Sequence, residues 1–280
     1  MLQSFSQKSP LVLIGCGHMG HAMAVGWLRA GLNPAHLFIV DPVATPMMVP
    51  GACEAQFLAD LVDLPADKNP KAIVVAVKPQ IIGQVLAPLA RIASDNTMVI
   101  SIAAGITLDT LKGGVGAAAT YVRAMPNMPA AIGEGITGLA GTRDISDENM
   151  ALARELMRAM GETVWLDGED MIDAVTAVSG SGPAYAFYLV ECMAAAGVRV
   201  GLPEEVAMTL ARQTVIGAGK LLDADTELAA ADLRRRVTSP GGTTAAALDV
   251  LMDADTGLGA LMENAIAAAY DRGRVLGGKA

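Results

Sequence analysis

One short turn, Gly15-Cys16-Gly17-His18-Met19-Gly20, constrains this chain more than any other stretch. Leu11-Val12-Leu13-Ile14 runs into it apolar and without alternation, the pattern of a strand buried on both faces. A helix is expected to follow as far as Ala30, stopped by Gly31. A second apolar run, Leu37 to Val40, ends in Asp41. Strand, G-x-G-x-x-G turn, helix and an acid at the end of the next strand together make a dinucleotide fingerprint; the glycines alone would not. The first glycine permits the turn, the second lets backbone approach a pyrophosphate, and the third seats helix on strand. Asp41 is placed to accept hydrogen bonds from an adenosine ribose and to repel a 2′-phosphate. Pro42, Val43 and Ala44 supply no compensating arginine, so NADH is expected to be used well.

Further β-branched apolar runs follow at Ala72 to Val77, Met98 to Ile102 and Thr120 to Arg123, with helical segments such as Ile81 to Ala93 between them. This alternation predicts an α/β chain with a Rossmann-type doubly wound parallel sheet. Lys78, in Ala76-Val77-Lys78-Pro79, falls at the carboxyl edge of the sheet, where ligands of open α/β folds bind. After Trp165-Leu166 the strand signals largely stop, and Asp167 to Asp170 forms an acidic joint. The expected division is a dinucleotide-binding domain over residues 1–167 and an all-helical domain over residues 168–280. Ser181-Gly182-Pro183 opens a helix through Val200, and Gly201-Leu202-Pro203-Glu204 stops it and starts another. Tyr185, Phe187, Tyr188, Leu189, Val190, Cys192 and Met193 cover nearly every face of the first of these helices. A helix apolar all round has to be enclosed on all sides, which a small domain cannot do alone. A second subunit is expected to pack against it.

The chain is 52% hydrophobic with a mean hydropathy of +0.42, so a membrane location has to be weighed. Ser9 to Trp27 carries no full charge, but Gly15, Gly17, Gly20 and two histidines interrupt it. Ala174 to Val190 is split by Ser179-Gly180-Ser181-Gly182-Pro183, which no simple spanning helix would carry at its centre. A soluble, non-membrane protein is expected. The net charge of −9 argues against nucleic acid as a partner. The one basic run, Arg234-Arg235-Arg236, reads as a solvated helix end near a negative dipole terminus. Cys16, Cys53 and Cys192 are scattered, with neither disulfide nor zinc spacing, so a reducing cytoplasm is the simplest compartment. His18 and His21 lie three apart, but no carboxylate neighbours complete a ligand set, and no metal is expected.

Arg236 to Leu251 places Ser239-Pro240-Gly241-Gly242-Thr243-Thr244 directly in front of an alanine-rich helix. A hydroxyl there can cap backbone N–H groups, and the same N–H groups on flexible glycines can hold an anion. Taken with Ile14 to Met19, Ala76 to Pro79, Ala103-Ala104-Gly105, Arg123 to Asn127, Ile172 to Thr176 and Ser179 to Tyr185, this segment makes the whole chain resemble pyrroline-5-carboxylate reductases. The resemblance implies a Rossmann-type domain followed by a helical dimerisation domain, with dimers assembling further into a ring of five. It implies reduction of 1-pyrroline-5-carboxylate to L-proline by NADPH or NADH, with the nicotinamide between the first domain and the partner subunit's helices. On this resemblance the cofactor is held by Ile14, Gly15, Cys16, Gly17, His18, Met19, Asp41, Val77, Lys78, Ala103 and Ala104. The substrate carboxylate meets Ser239, Gly241, Gly242, Thr243 and Thr244, Glu169 lies near the product, and the Thr244 hydroxyl stands beside the imine nitrogen as the catalytic group. Asp63 stands where some relatives carry an asparagine touching the cofactor, and Arg236 occupies a variable position.

Three other readings compete. A β-hydroxyacid dehydrogenase would carry a helical Lys-x-x-Asn pair, whereas Lys220 is followed by Leu221, Leu222 and Asp223. A reductase of another cyclic imine shares most of the features above. A dinucleotide-binding regulator without turnover would need no Ser239 to Thr244 loop.

Overall fold

The computed structural model describes residues 2–52, 56–116 and 119–278, so Cys53 lies outside the described residues. The chain forms two compact units: one runs to Gly180 and takes up the chain again from Tyr270, and the other is Ser181–Ala269.

The first unit alternates strands and helices: β1 (Leu11–Ile14), α1 (His18–Arg29), β2 (Leu37–Val40), β3 (Phe57–Leu58), β4 (Ala72–Val75), α2 (Ile82–Leu89), β5 (Met98–Ser101), α3 (Leu108–Val115), β6 (Thr120–Met125), β7 (Gly135–Gly141), α4 (Asp147–Arg158), β8 (Gly161–Trp165) and α5 (Ile172–Val175). The eight strands form one sheet in the order β3-β2-β1-β4-β5-β6-β7-β8. Neighbours are parallel except β6 and β7, which run antiparallel. The continuous apolar runs now have a physical cause. Leu11, Leu13, Leu37, Ile39, Ala72 and Val74 face one core with Met23, Trp27 and Leu156. Val12, Ile14, Phe38, Val40, Ile73 and Val75 face another with Leu86, Leu89, Leu111 and Tyr121. With helices over both faces, β1, β2 and β4 are apolar at every position.

Three strands went unread. β3 is only two residues long, and β7 and β8 begin on glycines that weaken any strand pattern. A further glycine within β7 is required. A Cβ on Gly138 would stand 2.8 Å from Val175 Cγ1, so β7 gives up a side chain where α5 packs on it. That packing also keeps the chain with the sheet beyond the acidic joint. Ile172 is buried against Ala140 and Leu166, and a π-helical turn over Thr176–Gly180 follows before the first unit ends. The expected division at residue 167 and the division into compact units therefore differ, because α5 lies past the joint and still belongs to the sheet.

The second unit holds α6 (Gly182–Arg199), α7 (Glu204–Ala224), α8 (Ala230–Arg236), α9 (Thr243–Leu251) and the start of α10 (Leu258–Leu276). Its buried apolar side chains, among the described residues, are three alanines: Ala194, Ala207 and Ala211. They let α6 and α7 approach closely, and a Cβ on Gly197 would stand 3.2 Å from that of Ala207. The large residues point elsewhere. Phe187 is 55% exposed, Tyr188 66% and Leu210 53%, so the surface expected to need covering lies bare in the single chain. Among the described residues no helix is long and apolar enough to cross a membrane.

Candidate active site

The glycine turn follows β1 directly, and two of its three glycines have a structural reason. Gly15 adopts φ +90°, and a Cβ on it would stand 2.8 Å from the Ala76 carbonyl oxygen and 2.9 Å from Val77 Cγ1. A Cβ on Gly20 would overlap the Gly15 carbonyl oxygen, so α1 seats on the turn only without one. Gly17 differs: no described atom lies within 4 Å of where its Cβ would be. It is the N-cap of α1, no side chain caps that end, and the first helical bond runs from His21 N–H to the Gly17 carbonyl at 2.8 Å. The amides of His18, Met19 and Gly20 precede that bond. A positive helix end with open backbone beside it is a place for a phosphate, and these residues fit a dinucleotide's pyrophosphate.

Asp41 follows β2 and is already engaged. Its Oδ2 accepts from the Cys16 N–H at 2.7 Å, and its Oδ1 accepts from Val43 and Ala44 at 2.9 and 3.2 Å. The carboxylate thus ties the glycine turn to the loop beyond β2, and further lone pairs stay available to a ribose. Burial, and then the Asp41 charge, push the Cys16 thiol up from its ordinary value. Cys16 is accordingly a neutral thiol at physiological pH, and its backbone N–H is the working group. His21 Nε2 lies 2.6 Å from the Met48 carbonyl oxygen, which gives that ring a structural partner.

Val77 and the exposed Lys78 follow β4, while the buried Ala103 and exposed Ala104 follow β5. The Ala103 N–H donates to Ser101 Oγ at 3.2 Å. Ile14, the glycine turn, Asp41, Val77, Lys78, Ala103 and Ala104 all sit at the carboxyl ends of adjacent strands. β1 lies between β2 and β4, so the strand order reverses there, which is where open α/β sheets bind ligands. Asp63 serves its own segment. Its Oδ2 accepts from the Asp60 N–H at 3.3 Å, closing a capping box on the short 3-10 helix Leu61–Asp63.

Glu169, expected near the product, is engaged within its own unit. Its Oε2 pairs with Arg123 Nη1 at 3.1 Å and accepts from the Leu108 N–H at 3.0 Å. Arg123 lies in β6 with only 3% of its side chain exposed. A cation buried that deeply needs its counter-charge, and removing one partner of such a pair costs about 3–5 kcal/mol. Sequence reasoning missed both Arg123 and this use of Glu169. An arginine in the otherwise apolar run Thr120 to Met125 was the available signal.

In the second unit, Ser239 to Thr244 links α8 to α9. Gly241 takes φ +68°, and the Gly242 N–H returns to the Ser239 carbonyl at 3.0 Å. Gly242 is the N-cap of α9, and no side chain caps it. Of the two uses open to this loop, a hydroxyl cap and an anion site, the hydroxyl cap on the helix is not made. Thr243 and Thr244 are its first two helical residues, too far along to accept from its leading amides. The helix's first bond runs from Ala246 N–H to the Gly242 carbonyl at 3.2 Å, so the amides of Thr243, Thr244 and Ala245 precede it. Those amides are open to an anion, and the Thr244 hydroxyl is not spent on a cap. Arg236 ends α8 and is exposed.

A doubly wound sheet with a glycine turn of this geometry defines a dinucleotide-binding protein of the Rossmann type. Comparison with known proteins narrows the class. Residues 10–105 match the family model of NADP oxidoreductases, coenzyme F420-dependent, and residues 169–276 match that of pyrroline-5-carboxylate reductase dimerisation. The pyrroline-5-carboxylate reductase of Pseudomonas aeruginosa is 40% identical over 265 residues, 94% of each chain. That of Haemophilus influenzae is 35% identical over 250 residues, 87% of this chain and 89% of its own. The structure of the Coxiella burnetii pyrroline-5-carboxylate reductase superposes with a TM-score of 0.86 at 34% identity, covering 96% of this chain and 98% of that one. The chain belongs to the pyrroline-5-carboxylate reductase family.

Proposed function

We propose that this protein reduces the C=N bond of 1-pyrroline-5-carboxylate to give L-proline. The observation that carries the reading is the Ser239 to Thr244 loop, with open amides and an unspent hydroxyl at one helix start, in a chain that also holds a dinucleotide turn. The cofactor bound at that turn supplies the hydride that goes to the imine carbon. The amides of Thr243, Thr244 and Ala245 hold the substrate carboxylate, and Ser239, Gly241 and Gly242 shape the loop around it. The Thr244 hydroxyl donates a hydrogen bond to the ring nitrogen, which takes its proton from water. No strong general acid is needed, because nitrogen gains basicity as carbon gains hydride and can take the proton from water. The test is to mix the protein with NADH or NADPH and racemic pyrroline-5-carboxylate and follow the nicotinamide absorbance. Oxidation with a different cyclic imine alone would favour the second reading, a broader imine reductase. Cofactor binding without any oxidation would leave only a regulatory role.

Asp41 sets the expected cofactor choice. Its charge stands where a 2′-phosphate would come, and NADH is expected to have the higher kcat/KM. Asp41→Ser should shift the ratio toward NADPH and cost about 1–3 kcal/mol in stability through lost bonds to the Cys16, Val43 and Ala44 amides. A wild type strongly preferring NADPH, with its ratio unmoved in Asp41→Ser, would overturn this assignment.

The bare face of α6 and α7 leads us to propose a homodimer as the smallest stable unit; further assembly as a ring of five dimers is what the family resemblance implies. Each active site then combines the cofactor turn of one chain with the carboxylate loop of its partner. Sedimentation at falling concentration should show activity lost together with the dimer; an active, folded monomer would end this proposal. We place the enzyme in the cytoplasm, where the free thiols of Cys16 and Cys192 would persist.

A further inference from the structure

The ion pair between Arg123 and Glu169 joins a buried cation to a well-placed carboxylate and is unused by the chemistry above. We propose that it is a positioning device for the cofactor-facing loop Ala103–Gly105, and that Glu169 acts on the dinucleotide rather than on the substrate. The inference rests on the reading that this loop faces the dinucleotide.

The loop leaves β5 and enters α3, so its geometry depends on where α3 begins. Two groups fix that start. Thr107 is the N-cap, and its Oγ1 accepts from the Thr110 N–H at 3.1 Å. Glu169, distant in sequence, supplies the second bond by accepting from the Leu108 N–H at 3.0 Å. A carboxylate at the first helical amide is favoured by the amide and by the helix dipole together. Glu169 alone would be a poor fixture, since a partly exposed glutamate has several rotamers of similar energy. Arg123 removes that freedom. Held within β6 and donating from Nη1 to the same Oε2, it aims the carboxylate at the Leu108 amide. The loop itself is fitted as closely. Gly105 takes φ +76°, and a Cβ on it would stand 3.1 Å from the Leu276 carbonyl oxygen. The loop is thus set at Gly105 by backbone against backbone and at Leu108 by an oriented charge.

A purely structural pair and a positioning pair predict different kinetics. Glu169→Gln keeps the shape and an acceptor for Leu108 but loses the charge that Arg123 aims. We expect a five- to twentyfold rise in KM and Kd for the dinucleotide, with KM for pyrroline-5-carboxylate and inhibition by proline changed less than twofold. Arg123→Lys keeps a buried cation without the guanidinium fork and should fall between wild type and Glu169→Gln. Amide exchange in the wild-type protein gives a readout that needs no variant: Leu108 should be slow to exchange, and the amides over 103–106 slower still once NADH is bound.

Failure of NADH to bind wild type or to slow exchange over 103–106 would remove the reading of the loop itself. NADH that binds wild type and a folded Glu169→Gln equally would overturn the positioning role and leave the loop assignment intact. A change confined to pyrroline-5-carboxylate or proline would return Glu169 to the substrate. Should Glu169→Gln fail to fold, a fast-exchanging Leu108 amide in wild type would still overturn the proposal.

Discussion

Thr244→Ala is expected to lower kcat on the order of a hundredfold, the usual cost of removing one hydrogen-bond donor from a transition state. The reason is local. Thr244 is the second residue of α9, and its hydroxyl caps nothing, so the chain spends it on no structural bond that the alanine would miss. Stability should therefore hardly change, whereas loss of an N-cap hydroxyl would cost about 1 kcal/mol. Binding of proline should weaken little, because the amides of Thr243, Thr244 and Ala245 remain. Thr244→Ser should recover most of the rate, since it sheds only a methyl group. The measurement is kcat at saturating substrate for both variants, with thermal melting beside it. Wild-type turnover in Thr244→Ala would show that the hydroxyl does not meet the reacting nitrogen.

Gly17→Val is expected to abolish dinucleotide binding, weakening it at least about a hundredfold, or about 3 kcal/mol, while the protein stays folded. Gly17 has φ −66° and ψ −169°, which any residue can adopt, and no described atom lies within 4 Å of its missing Cβ. The space a valine would fill is the space a pyrophosphate needs at the head of α1. Valine is a poor N-cap, so the melting point should fall by the equivalent of about 1 kcal/mol. Gly20→Val provides the contrast, because its side chain would overlap the Gly15 carbonyl and dislodge α1. Titration of nicotinamide fluorescence against each variant, after a melting check, tests the assignment. A folded Gly17→Val that binds NADH as wild type does would move the cofactor off this turn.

Much of this molecule is legible because its strongest constraints are local. The run Leu11 to Ile14, the three glycines and the acid at Asp41 report one β-α-β unit by their spacing alone, although the atoms that bar a side chain at Gly15 belong to Ala76 and Val77. β7 was not legible, because Gly138 is dictated by Val175, far along the chain and invisible to any local pattern. Glu169 shows the same limit at the site. The resemblance supplied a position near the product, but which group the carboxylate meets was decided by Arg123 and the Leu108 amide, each remote in sequence. At the Ser239 to Thr244 loop two uses stayed open in the sequence, and the difference between them is one of register. Two hydroxyls before an alanine-rich run look like caps, and the cap fell on Gly242 instead, which places both threonines inside the helix.

The three-alanine interior of the second unit has a consequence for how its stability can be expressed at all. Hydrophobic stabilisation scales with apolar surface removed from water, and three methyl groups together with a close helix crossing remove little of it. Most of the driving force for ordering α6 and α7 is held in reserve on Phe187, Tyr188, Leu210 and their neighbours until those side chains are covered. For this third of the chain, acquiring structure and meeting a second copy are expected to be a single event of second order. Its melting temperature is accordingly expected not to be a constant of the sequence but to climb with the logarithm of the amount of protein in the tube.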